Sequence, residues 1–126
     1  MDYENKVFYM GYFKEDNYDG EGSLLDEHNR IRYTGGFHKG VYHGYGELKQ
    51  NQEEFKGEFQ KGKRHGKGVQ YSRGNKVYEG YFKEDKQHGL GKNYTNGEQV
   101  EYEGYFREGE RHGYGKTFSN RGEIVE

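Results

Sequence analysis

One spacing pattern recurs five times along this chain and never varies inside the unit. One copy is Tyr78, Gly80, Phe82, Asp85, His88, Gly89 and Gly91. The next is Tyr102, Gly104, Phe106, Gly109, His112, Gly113 and Gly115, and the one before is Phe55, Gly57, Phe59, Gly62, His65, Gly66 and Gly68. Tyr33, Gly35, Phe37, Gly40, His43, Gly44 and Gly46 precede those. The first copy, Tyr9, Gly11, Phe13, Asp16, Asp19, Gly20 and Gly22, carries Asp19 in the histidine position. All length variation falls between the last glycine of one unit and the start of the next, giving periods of 22–24 residues. Such a period marks stacked units, none of which buries a core alone. The chain divides into one repeat domain: a lead strand or cap at 1–8, then units at 9–32, 33–54, 55–77, 78–101 and 102–126.

Tyr78, Gly80 and Phe82 are spaced by two, so on a strand they share one face. Asp85, or glycine in its place, tolerates left-handed backbone and predicts a turn. His88 then opens a returning strand that runs to Tyr94. Asn96-Gly97 is a hairpin signal, and Arg73-Gly74 and Arg121-Gly122 sit at nearly the same place. No helical hydrophobic period is present. The predicted fold is all-β: an elongated, single-layered, solenoid-like antiparallel meander of consecutive β-hairpins. Ten strands, plus a lead strand at Lys6–Phe8, make a rod about 50 Å long.

Composition alone argues for disorder. Leu, Ile, Val and Phe supply only 20 of 126 residues, and 33% are charged. The 22 Tyr and Phe rings and a net charge of only −2 argue the other way. Glycine weakens a strand unless something approaches it closely. An aromatic ring lying over a glycine of a neighbouring strand is such an approach. Full burial of a ring is worth on the order of 4–6 kcal/mol gross, and about half that on a single sheet. Tyr9, Phe13, Tyr33, Phe37, Phe55, Phe59, Tyr78, Phe82, Tyr102 and Phe106 are thus expected to form a ten-ring ladder in place of an aliphatic core.

The pattern Y-x-G-x-F-x-x-G-x-x-H-G-x-G resembles the MORN repeat (membrane occupation and recognition nexus). Tyr102 to Gly115 matches it closely, the second to fourth units match well, and the first departs at Asp19. The family commonly places Trp or Phe where this chain always has Phe. The resemblance implies rows of hairpins in an elongated, twisted, single-layered sheet.

Several groups of residues are candidate sites. His43, His65, His88 and His112 hold one place in four units, yet successive units stand two strands apart, roughly 9–10 Å. One ion needs nitrogen ligands at about 2.0–2.1 Å, so a turn-side hydrogen bond is the expected role, and no metal or other cofactor is expected. Gly-x-Gly occurs in every unit without the following helix that a phosphate loop needs, and no serine has a nucleophile-elbow context. No enzymatic activity is expected. Residues 1–54 hold 6 basic and 11 acidic groups, and residues 55–126 hold 14 and 11. Lys61, Lys63, Arg64 and Lys67 gather round the third turn, with Arg107, Arg111 and Lys116 around the turn of the fifth unit. These are either solvated turns or a basic edge for acidic protein or anionic lipid. The overall charge does not suit nucleic acid. Tyr12, Tyr81 and Tyr105 face away from the phenylalanine row and are candidate partner contacts, with Tyr45 and Tyr114 between the returning glycines.

Two functional classes are open. The first is a protein-interaction scaffold, which the resemblance implies for cytoskeletal and ciliary or axonemal assemblies and for the cell cortex. The second is a membrane-associated module that binds anionic phospholipid through basic turn residues. The chain has no run of 18 apolar residues and no signal-peptide core, so a cytoplasmic, cytoskeleton-associated protein is expected. Gly122-Glu123-Ile124-Val125-Glu126 reads as an open edge strand, through which the chain is expected to meet another protein or a second copy.

Overall fold

The computed structural model describes residues 7–125. The strands are β1 (Phe8–Lys14), β2 (Asn17–Leu25), β3 (Ile31–His38), β4 (Val41–Gln50), β5 (Glu53–Gln60), β6 (Lys63–Ser72), β7 (Asn75–Lys83), β8 (Lys86–Thr95), β9 (Gln99–Arg107) and β10 (Glu110–Thr117). They form one open antiparallel sheet in chain order, and there is no helix among the described residues. Tyr3 and Lys6, expected in a cap and a lead strand, lie outside the described residues. Phe8 belongs to β1 itself and is exposed rather than capping.

Each hairpin closes through two left-handed residues, not one. Glu84 and Asp85 have φ of 50° and 72°, and Lys61 and Gly62 have 53° and 82°. Two consecutive positive φ angles match the right-handed twist of the flanking strands. The returning strand therefore begins at Lys86, two residues before His88. Each hairpin then carries a bulge. Gly80 pairs with Gly91 and Phe82 with Gln87, so Tyr81 alone opposes His88, Gly89 and Leu90. Gly89 is left-handed there (φ 88°). Period-two alternation carries no signal for an insertion of this kind. The histidines sit in the bulges, and His43, His65, His88 and His112 do not form the expected side-chain hydrogen bond among the described residues.

The core is a row of rings on one face. Tyr33, Phe37, Phe55, Phe59, Tyr78, Phe82, Tyr102 and Phe106 are buried, Tyr33 and Tyr78 completely. Each opening ring lies over the glycine pair of its own hairpin: a Cβ added to Gly91 would fall 2.6 Å from Cε1 and Cζ of Tyr78. The Tyr78 hydroxyl donates to the Tyr81 carbonyl (2.8 Å), and Tyr33 does the same to Gly36 (2.8 Å). That carbonyl belongs to the residue opposite the bulge, so the phenol satisfies an acceptor the ladder abandons. Burial pushes the Tyr78 phenol up to about 12 and that of Tyr33 further.

Single-layer burial is more complete than half a ring because neighbouring units cover each other. Every Phe packs edge-to-face on the opening ring of the unit before it: Tyr9–Phe37 at 5.2 Å, Tyr33–Phe59 at 5.5 Å, Phe55–Phe82 at 5.0 Å and Tyr78–Phe106 at 5.0 Å. The same rule breaks the expected ten-ring ladder at its start. Phe13 has no preceding ring among the described residues and is 63% exposed, and Tyr9 is only half-buried. Two further rings join the row. Tyr18 and Tyr42 stack on Tyr9 and Tyr33 at 3.9 Å and nearly parallel.

The described part of the C-terminal segment, residues 122–125, pairs on the outer side of the end of the sheet. Phe118 and Ile124 form an antiparallel bridge, and the Val125 N–H donates to the Thr117 carbonyl (2.8 Å). That segment is the outermost piece over the end of β10, as the edge reading expects, and Glu110–Lys116 of β10 forms the rest of that edge among the described residues.

The β2–β3 connection is held by one carboxylate. Asp26 accepts from the backbone N–H of Arg30 (3.0 Å) and of His28 (2.8 Å) and from Nε of Arg30 (3.0 Å). The Arg30 amide first, with the His28 amide and the Arg30 guanidinium, holds its carboxyl at about 2, below the usual 3.8. A depressed folded pKa means the stabilisation is complete above the unfolded value and is lost as pH falls toward 2. Urea melts of the wild type are expected to lose stability between about pH 4 and pH 2 more steeply than those of Asp26→Asn. Parallel pH profiles would remove Asp26 from the acid response.

Candidate interaction surface

The basic residues near the third turn do not act as one free edge. Lys61 is exposed in the turn and Lys67 lies over the Tyr81 ring at 6.0 Å. Lys63 Nζ is 3.5 Å from Glu84. Arg64 is built into the joint between the third and fourth units. Its guanidinium lies 5.5 Å from the Phe55 ring and 5.1 Å from the Phe82 ring. Nε donates to Asp85 Oδ1 (3.1 Å), Nη2 to the Asp85 carbonyl (2.6 Å), and the Arg64 backbone N–H to the same carboxylate (2.8 Å). The Asp85 N–H returns a bond to the Arg64 carbonyl (3.0 Å).

The same backbone bond closes every joint between units: Gly40 to Tyr18, Gly62 to Tyr42, Asp85 to Arg64 and Gly109 to Gln87, at 3.0–3.1 Å. The residue that accepts it is thus the hinge pin of each joint, and it is Tyr, Tyr, Arg or Gln. Sequence reasoning missed this position. Its signal is one fixed place in the repeat frame, nine residues after the opening ring, and at Arg64 an acidic turn residue, Asp85, follows one unit later.

Arg107 joins Lys63, Lys83, Lys86 and His88 around a shallow groove between turns that also holds Glu84 and Glu108. Lys86 is 3.5 Å from Glu108, so part of this charge is already paired. Arg111 stands apart from that groove. It lies 4.5 Å over the Tyr102 ring and bonds Asn93 (3.2 Å) and Glu101 (3.4 Å).

The opposite face carries the outward tyrosines. Tyr81, Leu90, Tyr105 and Tyr114 sit on the four successive strands β7 to β10, all exposed. Leu90 pairs with Tyr105 across β8–β9, and Lys67 with Tyr81 across β6–β7. Tyr12 lies far from this row, on β1, with Glu21, Gly36, Tyr45, Glu58 and Lys67 occupying the strands between. Beside the row runs a cross-strand series, Glu79–Lys92–Glu103–Lys116, in which opposite charges face each other on adjacent strands. The arrangement offers a contiguous apolar stripe beside self-neutralised charge, with no three-residue cluster able to hold a metal among the described residues.

The family model described as MORN repeat matches the chain five times, at residues 9–26, 33–50, 55–76, 78–98 and 102–122. Each match opens on the first ring of a unit. No curated protein matches the chain.

Proposed function

This chain belongs to the MORN-repeat family, and from that premise we propose that it is a non-enzymatic protein-interaction scaffold, a small structural subunit of a cytoskeletal or ciliary assembly. MORN repeats are known in protein-interaction and membrane-binding modules. The observation that carries the protein-binding reading is the Tyr81–Leu90–Tyr105–Tyr114 stripe. A one-layer sheet turns one face inward to its ring row, so the other face is free to hold a partner. Exposed tyrosines on rigid adjacent strands give large contact area at low entropic cost, and aromatic residues are enriched at interfaces.

The membrane reading rests on the groove of Lys63, Lys83, Lys86, His88 and Arg107. Basic residues contribute about 1 kcal/mol each near an anionic surface, and here Glu84 and Glu108 cancel part of that. The two readings separate experimentally. Tyr81→Ser with Tyr105→Ser is expected to leave the melting temperature within about 2 °C and to abolish capture of the principal partner from native cell extract. Lys63→Glu, Lys83→Glu and Arg107→Glu together are expected to leave that capture intact and to lower any flotation with phosphatidylserine vesicles. Flotation at physiological salt with capture unaffected by the tyrosine pair would favour the membrane reading.

A further inference from the structure

The four joints between units define what a joint needs, and the two edges of the sheet supply the halves of a fifth. In each joint a turn N–H meets the carbonyl of the hinge-pin residue, and the Phe of the later unit packs on the opening ring of the earlier one. Arginine occupies the hinge-pin position only at Arg64 and Arg111. Aspartate occupies the receiving turn position only at Asp85 and Asp16. Arg64 and Asp85 meet each other. Arg111, on edge strand β10, has no following unit among the described residues, and Asp16, in the turn after edge strand β1, has no preceding one.

From this match we infer that β10 of one molecule docks on β1 of a second copy and rebuilds the Arg64–Asp85 joint. Arg111 already stacks on Tyr102 on one side, as Arg64 does on Phe55. Phe13 of the second copy, 63% exposed, takes the place that Phe82 has on the other side of Arg64. Asp16 of the second copy then receives the guanidinium, and its N–H meets the Arg111 carbonyl. The register of β8 on β9, Gly91 to Gly104 and Gly89 to Phe106, transposes to Gly115 with Gly11 and Gly113 with Phe13. The folded-back segment leaves Glu110–Lys116 unpaired on the outer side among the described residues, but Ile124 and Val125, held at Phe118 and Thr117, stand where the same register puts Val7 and Phe8 of the second copy, so docking displaces them.

Charge supports the head-to-tail direction. Residues 1–54 carry five more acidic than basic groups, and residues 55–126 carry three more basic than acidic. One contact opposes it. Lys63–Glu84 and Lys86–Glu108 flank the internal joints at 3.5 Å, and the corresponding pair would be Glu110 against Glu15. Both groups are exposed, so the repulsion weakens the contact without blocking it. A contact between two different edges does not close on itself at a dimer, so the product is an open chain of copies. It stands apart from the identity of any other protein the scaffold holds.

Sedimentation velocity of the full chain over a wide concentration range tests the joint. The weight-average mass is expected to climb past a dimer. Asp16→Arg alone and Arg111→Asp alone are each expected to stay monomeric with unchanged circular dichroism, and Asp16→Asn to weaken assembly should the arginine strain its turn. An equimolar mixture of Asp16→Arg and Arg111→Asp regains complementary edges and is expected to assemble. Glu110→Lys recreates the Lys63–Glu84 pair and is expected to shift assembly to roughly two- to fivefold lower concentration. A wild type that stays monomeric, stops at a dimer, or assembles equally well in folded Asp16→Arg and Arg111→Asp would overturn the joint.

Discussion

Tyr78→Ala is expected to lower stability by about 3–5 kcal/mol, the range of large-aromatic truncations in well-packed cores. The side chain has no exposed surface. It meets Phe82 at 5.2 Å within its own unit and Phe106 at 5.0 Å in the next, so its loss uncovers rings on both sides. It also leaves the Tyr81 carbonyl without its phenol donor. In a one-dimensional array the damage falls on a joint, here the one between the fourth and fifth units. The melting temperature should fall by about 8 °C or more, or split into two transitions. Tyr78→Phe isolates the hydroxyl and is expected to cost only about 1 kcal/mol. Phe55 already occupies the equivalent place without a hydroxyl, so the ring and not the phenol carries the joint. A melting curve of Tyr78→Ala unchanged from wild type would contradict the ring-row account.

Gly91→Ala is the second large effect, at about 1–3 kcal/mol or more. Alanine ordinarily stabilises a strand relative to glycine through lower unfolded-state entropy. Here the sign reverses, because the new methyl would lie 2.6 Å from Cε1 and Cζ of Tyr78, with the phenol oxygen also in contact. That ring is wedged between Phe82 and Phe106 and has nowhere to retreat. Gly80→Ala is damaging for another reason, since its Cβ would meet the Gly91 Cα and the Leu90 carbonyl, both backbone, at 2.5 Å. Urea denaturation of the two variants measures both costs. A stabilised Gly91→Ala would show that the glycine serves no ring.

The strand content and the identity of the buried rings were legible because Tyr78, Gly80 and Phe82 obey period two and recur in frame. The bulge at His88-Gly89-Leu90 was not legible. Tyr81 opposes all three of these residues, and such an insertion is a property of pairing between strands rather than of either strand alone. For the same reason His88 reads as a turn-side hydrogen-bonding residue in one dimension and as a bulge residue in three. Phe13 matches the pattern of Phe37, yet it is exposed, because burial here is conferred by the neighbouring unit rather than by the residue's own. Arg64 reads as one of four surface cations. Its role as the pin of a joint follows from Asp85, 21 positions later, which only the stacking of units brings within reach. The outward tyrosines were readable by parity, while Leu90 was hidden among the glycines of the bulge.

The central claim is that a ring resting on glycine does the work of a hydrophobic core in this sheet. A double-mutant cycle of Tyr78→Ala and Gly91→Ala, measured by urea denaturation, addresses it directly. If the Tyr78 ring is what forbids a side chain at residue 91, removing the ring makes room for the methyl, and the two costs must fail to add by about 1–3 kcal/mol. The double variant is then close in stability to Tyr78→Ala alone. Additive losses, with Gly91→Ala as harmful without the ring as with it, would contradict the claim.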